Sequence, residues 1–172
     1  MIGRTANEQA APILRRGLLG LGAVTTGALA VELAAERHWT QPTQLIAWAA
    51  LVVGAIAIAL AAWASTRRLV LLGRILAIAV MLSGAYGVWE HIESNHDAGE
   101  LDRNYTESWE TLPAATRWWL AASKTVGPSP PLAPGALAQV GLCVVLATVR
   151  HPALAARDRR DGDPDDGLVR SE

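Results

Sequence analysis

The densest run of side chains able to do chemistry is Trp89-Glu90-His91-Ile92-Glu93-Ser94-Asn95-His96-Asp97. On a helix, His91 falls on the stripe of Ala79, Ser83 and Gly87 with Asn95 one turn above, while another phase groups Glu90, Ser94 and Asp97. A second source of carboxylate is Glu32, with Glu36 and His38 just after it. If the helices carrying these two runs pack together, Glu32 or Glu36 approaches Glu90 and His91, and nitrogen with carboxylate is the donor set of a divalent metal or a shared proton. The candidates for such a site are Glu32, Glu90, His91 and Asp97. No two histidines have the fourfold spacing of a helical zinc pair, and His91 and His96 fall on different faces. The leading expectation is therefore a hydrogen-bonded cap rather than a metal centre, with no cofactor.

Other chemistry is thinly represented. Cys143 is the single cysteine, which excludes disulfides, thiolate clusters and paired-cysteine oxidoreductases and leaves a small packing residue. No nucleophile motif, phosphate loop or paired-carboxylate pattern occurs in the polar stretches, and Ser83 has no deep partner for intramembrane hydrolysis, so no enzyme is expected. The Asp-rich run after Arg160 lacks the bidentate glutamate of a calcium loop. A net charge of -1 gives no reason to expect a nucleic-acid partner.

The elements that must position these residues are apolar. Of the 172 residues 51% are hydrophobic, and they cluster: residues 17–31, 45–64, 75–89 and 135–149 contain no Asp, Glu, Lys or Arg. Crossing a bilayer takes roughly 20 helical residues. The expected architecture is all-α, an integral membrane four-helix bundle with spans at about 17–36, 44–65, 69–89 and 130–149. A polar arm precedes it at 1–14, an outer connection lies at 90–129, and a disordered tail follows at 151–172. Starting the third span near Leu69 leaves Arg74 inside, its long side chain reaching the inner headgroups. Starting the fourth at Pro130 or Pro131 uses positions where helix amides have no internal acceptor. Glu32 then lies ~24 Å along the first helix from Arg16, near the far boundary.

Charge sets the orientation. Arg15 and Arg16 precede the first stretch, Arg67, Arg68 and Arg74 lie between the second and third, and Arg150, Arg157, Arg159 and Arg160 follow the fourth. The 90–129 connection instead carries Glu90, Glu93, Asp97, Glu100, Asp102, Glu107 and Glu110 against Arg103, Arg117 and Lys124. Basic residues are retained inside, which predicts a multi-pass protein of the plasma (inner) membrane with both termini cytoplasmic. Trp89, Trp118 and Trp119 suit one membrane interface and Arg67 and Arg68 the other. Arg15-Arg16 followed by an apolar run ending in Ala28-Leu29-Ala30 also fits a cleaved secretory signal, whose removal would leave three spans with the same topology.

Within the connection, the third helix should continue from Trp89 to Asn95 and end at the Asp97-Ala98-Gly99 turn. A second helix is expected from Leu112 to Val126, capped by Thr111, lying on the outer leaflet through Leu112, Ala115, Trp119, Ala122 and Val126. Small residues at fourfold spacing predict where spans approach: Ala23, Gly27 and Ala34 with Ala30 on the first, Ala50 and Gly54 on the second, and Ala79, Ser83 and Gly87 on the third.

The run Tyr86-Gly87-Val88-Trp89-Glu90-His91-Ile92-Glu93-Ser94-Asn95 resembles a pattern in small four-span actinobacterial membrane proteins, a bacterial likeness that covers the third span and outer connection and implies no activity. The small multidrug-resistance transporter family is similar in having four short helices and a functional glutamate in the first, to which Glu32 alone could correspond. Its loops are short and its glutamate lies deeper, so neither that site nor its antiparallel dimer carries over. The function expected is a non-catalytic accessory, scaffold or sensing subunit. Its surroundings are the bilayer, and its partner is a membrane protein or a second copy, contacted through the acidic, Trp-rich outer face. The alternatives are a proton- or cation-coupled transporter using Glu32 with Glu90 and His91, and a membrane metal-binding protein.

Overall fold

A backbone surrounded by apolar side chains has to satisfy its own hydrogen bonds, and the described residues do so as helices with no strand. The computed structural model describes residues 6–149 and 151–155. Helix α1 spans Ala6–Ala35, α2 Leu45–Trp63, α3 Arg67–Asp97, α4 Ala114–Ala122, α5 Leu132–Ala147 and α6 Pro152–Ala155. Short 3₁₀ turns at Pro42–Gln44, Ala98–Leu101 and Trp109–Thr111 join them. Three helical stretches, Ala10–Ala35, Pro42–Trp63 and Arg67–Leu101, are long and apolar enough to cross a membrane, and α5 is a shorter apolar helix.

Local chemistry places the helix ends. Thr66, in extended conformation, accepts from the Leu69 amide at 3.5 Å and starts α3. The left-handed backbone at Arg37, with φ of 51°, reverses the chain just after α1, and Lys124, with φ of 57°, does so after α4. Helix α1 begins at Ala6, so the part of the expected polar arm from residue 6 onward is helical, while residues 1–5 and the tail beyond 155 lie outside the described residues.

The shortest of the four apolar helices α1, α2, α3 and α5 occupies the centre. α5 packs on α1, α2 and α3, whereas α1 and α3 barely touch each other. Its Leu137, Val140, Gly141, Cys143, Val144 and Ala147 are buried. Close approach to α3 rests on two glycines facing opposite ways. A Cβ on Gly84 would strike the backbone of Ala138 and Pro134, and one on Gly141 would strike the Ala77 carbonyl. Small residues thus bring the backbones of α3 and α5 into dispersion contact.

The small-residue stripes expected on α1 and α3 hold in part, at Ala30, which packs against the core containing Leu29, Leu51 and Val80, and at Gly87, where a Cβ would strike Pro134, and are otherwise corrected. Ala23, Gly27 and Ala34 are exposed, and α1 meets its neighbours through Leu19, Gly22 and Leu29. On α3 the buried line is Val70, Gly73, Ala77, Val80 and Gly84 rather than Ala79 and Ser83. On α2 the expected Ala50 and Gly54 are buried, and Ala57 and Ala61 extend the line.

Candidate functional site

The helix ends that carry arginine form a set of carbonyl clamps. α2 and α5 finish at this end, each with C-terminal carbonyls lacking partners inside the helix. Arg15 donates to the Ala61 and Ala62 carbonyls at 2.7 and 3.2 Å. Arg74 donates from Nε to Thr148 Oγ1 at 3.0 Å and from its terminal nitrogen to the Thr148 carbonyl at 2.9 Å. Guanidinium charge at a helix C-terminus also opposes the partial negative charge gathered there. Arg74 is thus occupied by a neighbouring helix, which corrects the expectation that it extends to headgroups. Arg67 and Arg68 are exposed.

At the opposite end the connection after α3 folds back on that helix. Asn95 is fully buried and makes three hydrogen bonds: Nδ2 donates to the Ala121 carbonyl at 3.1 Å and the Ser129 carbonyl at 2.7 Å, and Oδ1 accepts from the Ser129 amide at 2.8 Å. Gly127 passes against Asn95 with φ of 78°, where a Cβ would overlap that side chain. Below this clamp, Trp109, Ala121 and Val126 form a small core of their own. Trp109 is 1% exposed and lies so close on Gly99 that any side chain there would collide with the indole.

Four rings tie the cap together. His96 lies two turns after Trp89 on α3, about 10 Å along the axis, and Trp118 of α4 fills the interval. Trp118 stacks on Trp89 at 5.3 Å and on His96 at 4.3 Å, and the edge of His96 meets Trp109 at 5.5 Å. Trp118 is therefore partly withdrawn into the fold, while Trp119 is 71% exposed. Helix α4 is shorter than expected. It starts after Pro113 without a side-chain cap, and Thr111 instead donates to the Ser108 carbonyl at 2.7 Å. Ala115, Trp119 and Ala122 form its exposed face.

Between α1 and α3, where α5 begins, there is a cleft of about 80 Å³. Leu29, Leu51 and Leu137 line it toward the middle of the helices, and Glu32, Glu36, His38, His91 and Pro130 toward their ends. His91 Nδ1 is 2.9 Å from the Pro130 carbonyl. A carbonyl only accepts, so Nδ1 carries the proton and a neutral His91 keeps Nε2 as an acceptor. Among the described residues no Lys or Arg lines the cleft and neither glutamate forms an ion pair.

Of the four candidates named from sequence, Glu32 and His91 share this cleft while Glu90 and Asp97 do not line it; all three carboxylates are exposed and His91 is half-buried. Asp97 lies 3.7 Å from His96 Nδ1. Among the described residues no three His, Cys, Asp or Glu side chains are grouped to hold a metal. The α1–α3 contact that would have gathered the four is replaced by α5. Sequence reasoning missed Asn95 as the central clamp and His96 as a stacking partner. The seven-residue interval from Trp89 to His96 was the available signal. Comparison with family models, curated proteins and solved structures returned no match.

Proposed function

We propose that this chain is a multi-pass plasma-membrane protein with four spans and both termini in the cytoplasm, serving without catalysis as an accessory or scaffold subunit. Its solvation supports the membrane reading. Val24 is 72% exposed, Ile75 63%, Leu82 61% and Val52 59%, and in water each would forgo roughly 1–2 kcal/mol of burial. Arg67 and Arg68 support the orientation, because they occupy the first turn of α3, where the helix dipole disfavours cations by ~0.3–1 kcal/mol each. Their presence against that cost fits retention of basic residues on the cytoplasmic side.

The observation that carries the subunit role is the clamped cap. Asn95, the four-ring stack and the Trp109 core hold the 98–129 connection in one conformation, so its acidic edge and the α4 face with Trp119 form a preorganised contact surface. Trp and charge together suit a site at headgroup height facing another membrane protein. Single-cysteine variants at Ser123 and Ser65 in a Cys143→Ala background test topology: impermeant maleimide on intact cells should label the first and spare the second. Trp119→Ser should then release a stoichiometric partner without lowering the chain's own abundance. Purification of the chain alone, with transport activity in vesicles, would replace this reading.

The cleft favours a second reading, a small proton- or cation-coupled transporter using Glu32 and His91. Glu32→Gln should abolish pH-dependent uptake under that reading and leave a scaffold's assembly intact.

A further inference from the structure

The lining of the cleft changes from polar to apolar along its length. From Glu36 to Leu29 the α1 wall passes over about 10 Å from two carboxylates to leucine. Leu51 of α2, and Pro134 and Leu137 of α5, continue the apolar lining. At the rim the Glu32 and Glu36 carboxylates accept hydrogen bonds, and so does Nε2 of His91 in its neutral form, with the Nδ1 proton committed to Pro130. Two carboxylates without an ion pair among the described residues suit positive charge, and a set of acceptors suits N–H donors. A primary ammonium supplies both, whereas a quaternary ammonium has charge but no donor.

From this complementarity we infer that the cleft binds an aminophospholipid of the outer leaflet, its primary ammonium against Glu32 and Glu36 and the start of an acyl chain against Leu29, Leu51 and Leu137. The inference rests on the membrane reading proposed above, under which the rim of the cleft lies at headgroup height. It does not depend on the subunit role. Because α1 and α3 are separated by α5, the opening between them belongs to the packing itself and exists without a lid or rearrangement.

The test titrates the detergent-solubilised full chain with dihexanoyl phosphatidylethanolamine, its choline counterpart and its glycerol counterpart, followed by calorimetry. The ethanolamine lipid should bind at least about tenfold more tightly than the choline lipid, the difference expected of charge-assisted hydrogen bonds. Glu32→Gln with Glu36→Gln should erase that preference, and Ala133→Trp, which fills the cleft, should remove binding of all three. Equal affinity for ethanolamine and choline lipids, or a preference that survives the double glutamine variant, overturns the inference. Failure of the membrane reading is separately visible, as a chain that is monodisperse without detergent.

Discussion

Arg74 of α3 holds the C-terminal end of α5 through Thr148, binding the hydroxyl at 3.0 Å and the carbonyl at 2.9 Å. Thr148 is itself fully buried and donates its hydroxyl to the Val145 carbonyl at 2.7 Å, so one guanidinium organises the last turn of the central helix. Arg74→Met removes the charge while keeping much of the aliphatic stem, and leaves the Thr148 carbonyl without its donor. The expected loss is about 1–3 kcal/mol, read as a lower melting temperature in detergent. Arg74→Lys should recover part of it, since an ammonium lacks the planar fork. An unchanged melting temperature for Arg74→Met would return Arg74 to the headgroups.

Asn95 is the corresponding fastener at the other end. Leucine in its place forfeits three hydrogen bonds and strands the Ala121 and Ser129 groups, at roughly 2–4 kcal/mol for the network. The helices are held by separate contacts, so the loss should be local. Limited proteolysis should cut Asn95→Leu within 98–129 while the apolar helices stay intact. Asn95→Asp keeps the acceptor for Ser129 and loses both donated bonds, which predicts intermediate protection. Equal resistance of all three proteins would mean that the ring stack alone secures the cap.

The glycines separate true contact faces from accidental spacing. Gly84 has no room for a side chain against Ala138 and Pro134, whereas Gly27 has nothing within 4 Å. Gly84→Val should force α3 from α5 and cost several kcal/mol, beyond the ~1–3 kcal/mol of ordinary overpacking because the obstacle is backbone. Gly27→Val should melt within about 0.5 kcal/mol of wild type. The reverse order, measured by thermal aggregation in detergent, would restore the stripe of Ala23, Gly27 and Ala34 as an interface.

These positions also mark how far the chain could be read in advance. The long apolar runs became helices, and α3 continues to Asp97, because ionisable residues on a continuing helical pattern leave little ambiguity. On α2 the spacing of Ala50 and Gly54 fell on the buried face, although Ala47, Ala49, Ala55, Ala59 and Ala62 offer small residues in other phases. On α1, Gly17, Gly20, Gly22, Ala23, Gly27 and Ala28 put small residues on every face, and spacing could not choose Gly22. Helix rotation depends on which neighbour is present, and the insertion of α5 between α1 and α3 is a long-range outcome that no local pattern encodes. The same insertion explains the site: it separates Glu32 from Glu90 and opens the cleft that Glu32 shares with His91.

His151, just beyond the fourth apolar run, gives the fold a pH dependence whose sign follows from its surroundings. The residue is 4% exposed, Nδ1 accepts from the Ala153 amide at 3.2 Å, and among the described residues Nε2 has no hydrogen-bond partner. Burial pushes its pKa below the ordinary imidazole range, and the charge of Arg15 pushes the same way. Unfolded chain therefore takes up a proton near pH ~6.5 that the folded ring refuses until lower pH. The stabilisation is complete above that point and is lost progressively as pH falls through the interval between the two values. Wild-type protein should lose melting temperature between about pH 7.5 and about pH 5.5 more steeply than His151→Asn, which cannot titrate. Parallel curves for the two proteins would show that His151 is protonated equally in the folded and unfolded states, and the buried neutral ring would have to be abandoned.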